Sequence, residues 1–271
     1  MVDIKRALQL IRLKGDAVQR CRLAYALGQS KDTLPVERHL EQLQLPEGGF
    51  PYKNSPGSPY SLSITGAKMP MLAELDLSDA PLCKRLVRFL VSIQHSEGYW
   101  DENPALPAFV GGPMPFWDTP GDLNTQLWIT GDVAGGLLRL GQAAPGVQKA
   151  TEYLLRHRKP DGTFQGFRHT TWLAVPLLAR QRGVDDPLVQ GATRALRRFP
   201  DWDATDLTWA LGSLYCAGLP AHDEAVATLV VQLEGLQEPD GRWKSADNPD
   251  DPVAQTLETL IVLSRFRRLK R

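Results

Sequence analysis

The chain predicts an all-α protein, an (α/α)6 toroid in which six helical hairpins close into a barrel and residues 1–271 form a single domain. Three observations lead there. Leu, Ile and Val recur at three- and four-residue spacing along almost the whole length, the period of a helix with one apolar face. No stretch sustains the period-two alternation of a half-buried strand. One turn pattern returns four times, each time after an apolar-periodic segment: Gln44-Leu45-Pro46-Glu47-Gly48-Gly49-Phe50, Gln94-His95-Ser96-Glu97-Gly98-Tyr99-Trp100, Arg158-Lys159-Pro160-Asp161-Gly162-Thr163-Phe164 and Gln237-Glu238-Pro239-Asp240-Gly241-Arg242-Trp243.

The helices fall in order at 3–14, 17–28, 35–44, 60–76, 80–94, 122–141, 146–157, 167–182, 186–198, 204–217, 222–236 and 252–268. Gly28, Gly141, Gly183 and Gly218 are candidate stops, and Ser78, Asp122, Asp185 and Asp251 candidate starts. Pro70 and Pro176 fall inside predicted helices, where each removes a backbone donor and predicts a kink. In the turns, the acidic residue before Gly favours a tight reversal and Gly takes the left-handed conformation. The aromatic then packs back over the helix end, and the leading Gln can bond carbonyls exposed there. Twelve helices make six hairpins, and six hairpins can close on themselves. An open solenoid is the structural alternative, but the long irregular insert 101–121 fits a barrel mouth better. Closure requires residues 3–28 to pack against 222–268.

Composition narrows the function. The 31 basic and 31 acidic side chains cancel, so the chain lacks the cationic excess of a nucleic-acid binder. No apolar run approaches the roughly 20 residues that span a bilayer. The N-terminal stretch has no apolar core or cleavage site of a secretion signal. Cys21, Cys83 and Cys216 are odd in number and widely spaced, as expected of reduced thiols, and the expected location is cytoplasmic. Trp is plentiful at seven residues, which makes its placement informative.

The turns resemble the Gln-Trp repeats of the terpenoid cyclase and protein prenyltransferase superfamily, over about residues 35–268. The resemblance implies an α-toroid, nearest to the class II terpene cyclases of the squalene-hopene cyclase kind. It departs at two places. The third turn opens on Arg158 instead of Gln, and the helix at 186–198 runs into the next without such a turn. In that gap stands Asp201-Trp202-Asp203-Ala204-Thr205, which is similar to the Asp-x-Asp-Asp-Thr motif of class II cyclases. Carried over by position, Asp203 is the general acid that protonates an alkene or epoxide, Asp201 its neighbour and Thr205 the motif threonine. Ala204 replaces the last Asp; oxidosqualene cyclases also lack it, with Asp-Cys-Thr.

The residues themselves support an acid role in part. A carboxylic acid stays protonated through burial and a like charge, and hydrogen bonds to its anion make it a better donor. Asp201 and Asp203 can share a proton, with a helix N-terminus stabilising the anion left behind. Helix capping by either Asp is the competing reading. A carbocation also needs aromatic walls. Tyr60, Trp128, Trp172, Trp202 and Trp209, with Phe109, Phe116 and Trp117 from the insert, are the candidate lining, and core packing between helix layers is the alternative for each. Trp100 and Trp243 belong to the turns. His169, at a helix start, is a candidate base or orienting group, against a helix-end histidine satisfied by backbone. Asp122, Asn124, Asp132, Asp250, Asp251 and Glu258 read as caps and solvated positions, and Arg20 and Arg22 as surface residues that could otherwise face a phosphate.

No metal is expected. The prenyltransferase branch holds zinc through an Asp-x-Cys pair, but Gln19, Pro81 and Leu214 stand two before the cysteines. No cofactor is expected either; magnesium enters only with a diphosphate substrate. The basic end, Arg265 to Arg271, suits a helix C-terminus, or gives a weak peripheral attraction to anionic membranes. The expected function is acid-initiated cyclisation or isomerisation of an isoprenoid-like small molecule. The alternatives are a non-catalytic toroid module binding an apolar ligand, and a carbohydrate-active α-toroid enzyme using paired carboxylates.

Overall fold

The computed structural model describes residues 2–142, 145–245 and 251–268; Asp250, Lys270 and Arg271 lie outside them. Its α-helices are α1 (Ile4–Lys14), α2 (Ala17–Ala26), α3 (Leu34–Leu43), α4 (Leu62–Glu74), α5 (Pro81–Ser92), α6 (Leu106–Val110), α7 (Leu123–Arg139), α8 (Pro145–Leu155), α9 (Arg168–Arg182), α10 (Pro187–Leu196), α11 (Ala204–Cys216), α12 (Glu224–Gly235) and α13 (Pro252–Arg265). The all-α class is as expected, and every predicted helix is present with its ends within 3 residues. The insert is less irregular than its sequence implies: it holds α6 and a 3-10 turn at Phe116–Asp118. A two-residue antiparallel ribbon pairs Phe50–Pro51 with Tyr60–Ser61.

Local signals account for the helix ends. Gly28, Gly141, Gly183 and Gly218 all have positive φ, as their role as stops requires. Asp122 and Asp251 cap α7 and α13, each accepting two backbone N–H bonds. Ser78 and Asp185 do not start their helices. Pro81 takes the first position of α5 after Ala80, and Asp186, next to Pro187, accepts from Leu188 N at 2.8 Å. Helices α4 and α9 run on through Pro70 and Pro176.

The turns act as staples. Gln94 Nε2 donates to Gly98 O within its own turn and to Gly146 O in α8, both at 2.8 Å. Gln44 does the same to Gly48 O and Leu82 O in α5, and Gln237 to Gly241 O and Asp3 O before α1. The amide thus ties its turn to the next hairpin and not to the end of its own helix. Gly98, at φ 103°, lies so close to Lys149 O in α8 that any side chain would collide. The closing aromatic is held by its backbone and, where it is Trp, by its ring as well. Its backbone N–H meets a threonine of the following helix (Phe50 to Thr65, Trp100 to Thr130, Phe164 to Thr171, Trp243 to Thr256) at 3.0–3.2 Å. The fully buried indoles of Trp100 and Trp243 donate back to Leu90 O and Leu233 O.

The chain forms two compact units, Met1–His39 with Thr193–Arg271, and Leu40–Ala192. In the first, α13 packs on α1, α2 and α11, and α11 packs on α12, so the N-terminal hairpin meets the C-terminal helices as predicted. Arg22 is a correction to its surface assignment: it is buried, and its guanidinium forms a two-pronged pair with Glu258, Nη2 to Oε2 at 3.0 Å. Glu258, partly exposed, is the partner in that ion pair. In the second unit α7 packs on α4, α8 and α9. Helix α9 is buried without a break from Thr170 to Leu178, so it presents no polar face. The three cysteines are free thiols, and burial pushes Cys83 up to about 11.

Candidate active site

Asp203 is the N-cap of α11, and its carboxylate accepts from Asp206 N at 2.8 Å. Asp201 is exposed, in a left-handed conformation at φ 53°. Ala204 is buried, and the Thr205 hydroxyl donates to Gln255 Oε1 at 3.1 Å, joining α11 to α13. Trp202 packs on Phe199, with ring centres 5.9 Å apart, and Trp209 is 40% exposed. In this unit the motif residues start a helix.

The second unit holds a different carboxylate in a more demanding setting. Asp132 lies inside α7, one turn beyond Trp128 and seven residues before Arg139, so the three share one stripe of the helix. It is neither a cap nor fully solvated, being only partly exposed. Its Oδ2 reaches α4 at Gly66, where any Cβ would collide with it. Burial in this packing raises its carboxyl to about 6, against the pull of Arg139 and His169, whose charges lower it. The group therefore keeps its proton in a fraction of molecules near neutral pH, and the Arg139 guanidinium favours the anion it leaves on donating that proton.

Aromatic rings extend from that point. His169 packs edge-on against Trp172 at 4.8 Å, with Trp128 and Phe167 each 6.4 Å away. Phe167 meets Phe116 at 5.4 Å, and Phe116 meets Trp117 at 4.8 Å. Of the predicted lining, the structure brings together Phe116, Trp117, Trp128, His169 and Trp172, and adds Phe167, which follows Gly166 just before α9 and carries no helical-period signal. Tyr60 stands apart, edge-on to Phe89 at 4.9 Å. Phe109 is 51% exposed.

Two buried acids come from the insert. Glu102 accepts from Ser61 Oγ, Leu62 N, Ser63 N and Asn103 N at 2.7–3.1 Å, so it holds the start of α4. Burial raises its pKa, and those donors oppose the rise. Asp118, 6% exposed, is also raised by burial, against the Ser63 hydroxyl and Lys53. An opening of about 380 Å³ beside Glu102 is lined also by Tyr60, His95, Asp101, Pro104 and Pro120. Asp101 is occupied too: its Oδ2 accepts from Gly121 N and Gln126 Nε2. Among the described residues, no group of three or more His, Cys, Asp and Glu side chains is placed to hold a metal ion, and no helix is long and apolar enough to cross a membrane.

No family model matches the sequence, and no curated protein does. Solved structures do. A protein from Actinoplanes is similar over 97% of this chain and 98% of its own, at 17% identity and a TM-score of 0.64. The type II terpene cyclase MstE from Scytonema, in an arginine-to-alanine variant in complex with geranylgeranyl dihydroxybenzoate (substrate), is similar over 92% of this chain and 86% of its own, at 15% identity and a TM-score of 0.61. An aspartate-to-alanine variant of MstE, in complex with merosterolic acid A (product), is similar over 93% and 87%, at 15% and 0.61. At these identities the likeness is one of fold, and this chain has the all-α fold of the type II terpene cyclases.

Proposed function

We propose that the protein is a terpene cyclase-like enzyme that protonates a linear isoprenoid-like substrate and lets it close into rings. One observation carries this reading: the Asp132 carboxyl, seated in the notch at Gly66, shares a helix stripe with Trp128 and lies where Arg139 and His169 act on it. The Asp132 proton goes to an alkene carbon or an epoxide oxygen of the substrate. The cation so formed is attacked by a neighbouring double bond, which makes the ring C–C bond. Loss of a proton from the last cation, returned to the Asp132 carboxylate, leaves an isomer of the substrate. The Phe116 and Phe167 rings, both accessible, offer π faces to the cation and no nucleophile to quench it, while Trp128 is almost buried and Trp172 is fully buried among the core side chains. A Brønsted acid of this kind needs no cofactor, and magnesium enters only with a diphosphate substrate.

The fold of MstE and its prenylated aromatic substrate support the substrate class. The carbohydrate reading is weaker, because Asp101 and Glu102 spend their oxygens on backbone and amide donors. The test is incubation with linear isoprenoids, their epoxides, their diphosphates and prenylated hydroxybenzoates, followed by chromatography with mass detection. A new compound of unchanged mass, absent with Asp132→Asn, is the expected result. Turnover that survives Asp132→Asn overturns the assignment, and binding without turnover makes the chain a non-catalytic module.

A further inference from the structure

The opening beside Glu102, about 380 Å³, is large enough for one small molecule. Tyr60 enters it from before α4, His95 from after α5, and Asp101 and Pro120 from the two ends of the insert. Its charge is of one sign: among the described residues, no Lys or Arg lines it, while Asp101 and Glu102 do. Asp101 accepts from Glu102 N, Gly121 N and Gln126 Nε2 at 2.8–3.0 Å. These neutral donors take three of the roughly four acceptor positions of a carboxylate. One position on Oδ1 is left, and so is the charge. Burial, then Glu102 and Glu47, push the Tyr60 phenol up. Burial, then Glu97 and Asp101, push up that of Tyr99, on which His95 stacks at 4.2 Å. The six tyrosines of the chain divide here. Tyr25, Tyr52, Tyr153 and Tyr215 each hold a Lys or Arg of the chain over the ring, 4.8–5.3 Å from its centre. Tyr60 and Tyr99 hold none among the described residues, although carboxylates act on both. We infer that this opening binds a small organic ammonium ion, an amine with an apolar body.

Charge, rings and walls choose that class. An ammonium N–H bonded to the open Oδ1 position of Asp101 forms a charge-assisted hydrogen bond, roughly twice as strong as a neutral one. Aromatic rings beside a carboxylate attract an organic cation further. Ile93, Pro104 and Pro120 supply hydrocarbon walls, which suit the body of an amine and not a hydrated metal ion. The described residues also place no three His, Cys, Asp or Glu side chains around one metal. An alcohol of the same shape brings no charge to Asp101. The opening shares no residue with the Asp132 notch or with the ring chain that ends at His169. Its ligand carries a permanent charge from solution, unlike a carbocation formed during turnover, and the inference stands without the cyclase reading.

The experiment is a ligand-observed NMR titration of the full chain at neutral pH with phenethylamine and cyclohexylmethylamine, each beside the alcohol of the same shape. At least one amine is expected to bind about tenfold or more tightly than its alcohol. Asp101→Asn is expected to weaken that binding about tenfold or more. His95→Lys, which sets a cation of the chain at the exposed rim, is expected to weaken it as much, with circular dichroism unchanged. Asp132→Asn is expected to leave it as it is. Failure of both amines to bind overturns the proposal, as does equal binding of amine and alcohol. Binding that both Asp101→Asn and His95→Lys retain overturns it too. Loss of binding in Asp132→Asn moves the amine to the ring chain. Displacement of the amine by magnesium chloride at constant ionic strength marks a metal site. Either of these results also overturns it.

Discussion

The carboxyl of Asp132 occupies the space that a side chain on residue 66 would need. A methyl group at Gly66 collides with Asp132 Oδ2. Glycine inside a helix ordinarily costs about 1 kcal/mol relative to alanine, so Gly66→Ala should stabilise α4 unless this contact governs. We expect the opposite sign: a loss of about 1–3 kcal/mol by chemical denaturation, the range of overpacked cores. A more stable Gly66→Ala protein contradicts the placement of Asp132.

Asp132 also predicts how stability depends on pH. In the folded chain it titrates at about 6, against 3.8 for a free side chain. Below 3.8 both states hold the proton and the group contributes nothing. Between the two values the unfolded chain releases its proton first, and above about 6 the buried charge is a constant cost. Asp132→Asn removes that cost, so it should raise stability at pH 8 by up to about 3 kcal/mol and far less at pH 4. Glu102 and Asp118 tilt the wild-type curve the same way, so the difference between variant and wild type isolates Asp132. Equal stabilisation at both pH values would show that the group is not perturbed.

Asp203 separates two assignments of the acid. As the cap of α11, Asp203→Ala should lower stability by about 1 kcal/mol, while Asp203→Asn, which still caps, should change it little. We expect Asp203→Asn to keep its turnover. A folded Asp203→Asn protein without turnover moves the acid to the motif at 201–205.

The Gln94 staple should matter more than a surface amide. Gln94→Ala leaves the Gly98 and Gly146 carbonyls without their side-chain donor, and a loss of about 1–3 kcal/mol is expected from thermal melting. Gln148, exposed on α8 with its amide donating to Glu152, is the control, with an expected change within about 0.5 kcal/mol.

The helices were legible because their apolar spacing and their Gly and Asp ends are local properties. The turns were legible because Gly and the aromatic sit at fixed offsets. What the Gln reaches was not: its second acceptor belongs to another hairpin, as with Gln44 and Leu82. The candidate site fell between these cases. Trp128, His169 and Trp172 stood out by residue type. Asp132 did not, because a lone carboxylate in a helix usually marks the polar face. The usable signal was its setting in Thr130-Gly131-Asp132-Val133-Ala134-Gly135-Gly136, where small and apolar residues lie on both sides and every residue of the run except Asp132 is buried. Glu102, Asp118 and Arg22 depend on partners from distant segments, which spacing along one helix does not reveal.

The central claim is that Asp132 delivers the proton. Its most direct test is to incubate wild type and Asp132→Asn side by side with a panel that includes geranylgeranyl dihydroxybenzoate, and to quantify products of unchanged mass by chromatography and mass spectrometry. The account predicts a cyclic isomer from the wild type and a rate at least 10²–10⁴ lower, on the order of removing a general acid, from a folded Asp132→Asn protein. Equal product from both would contradict it.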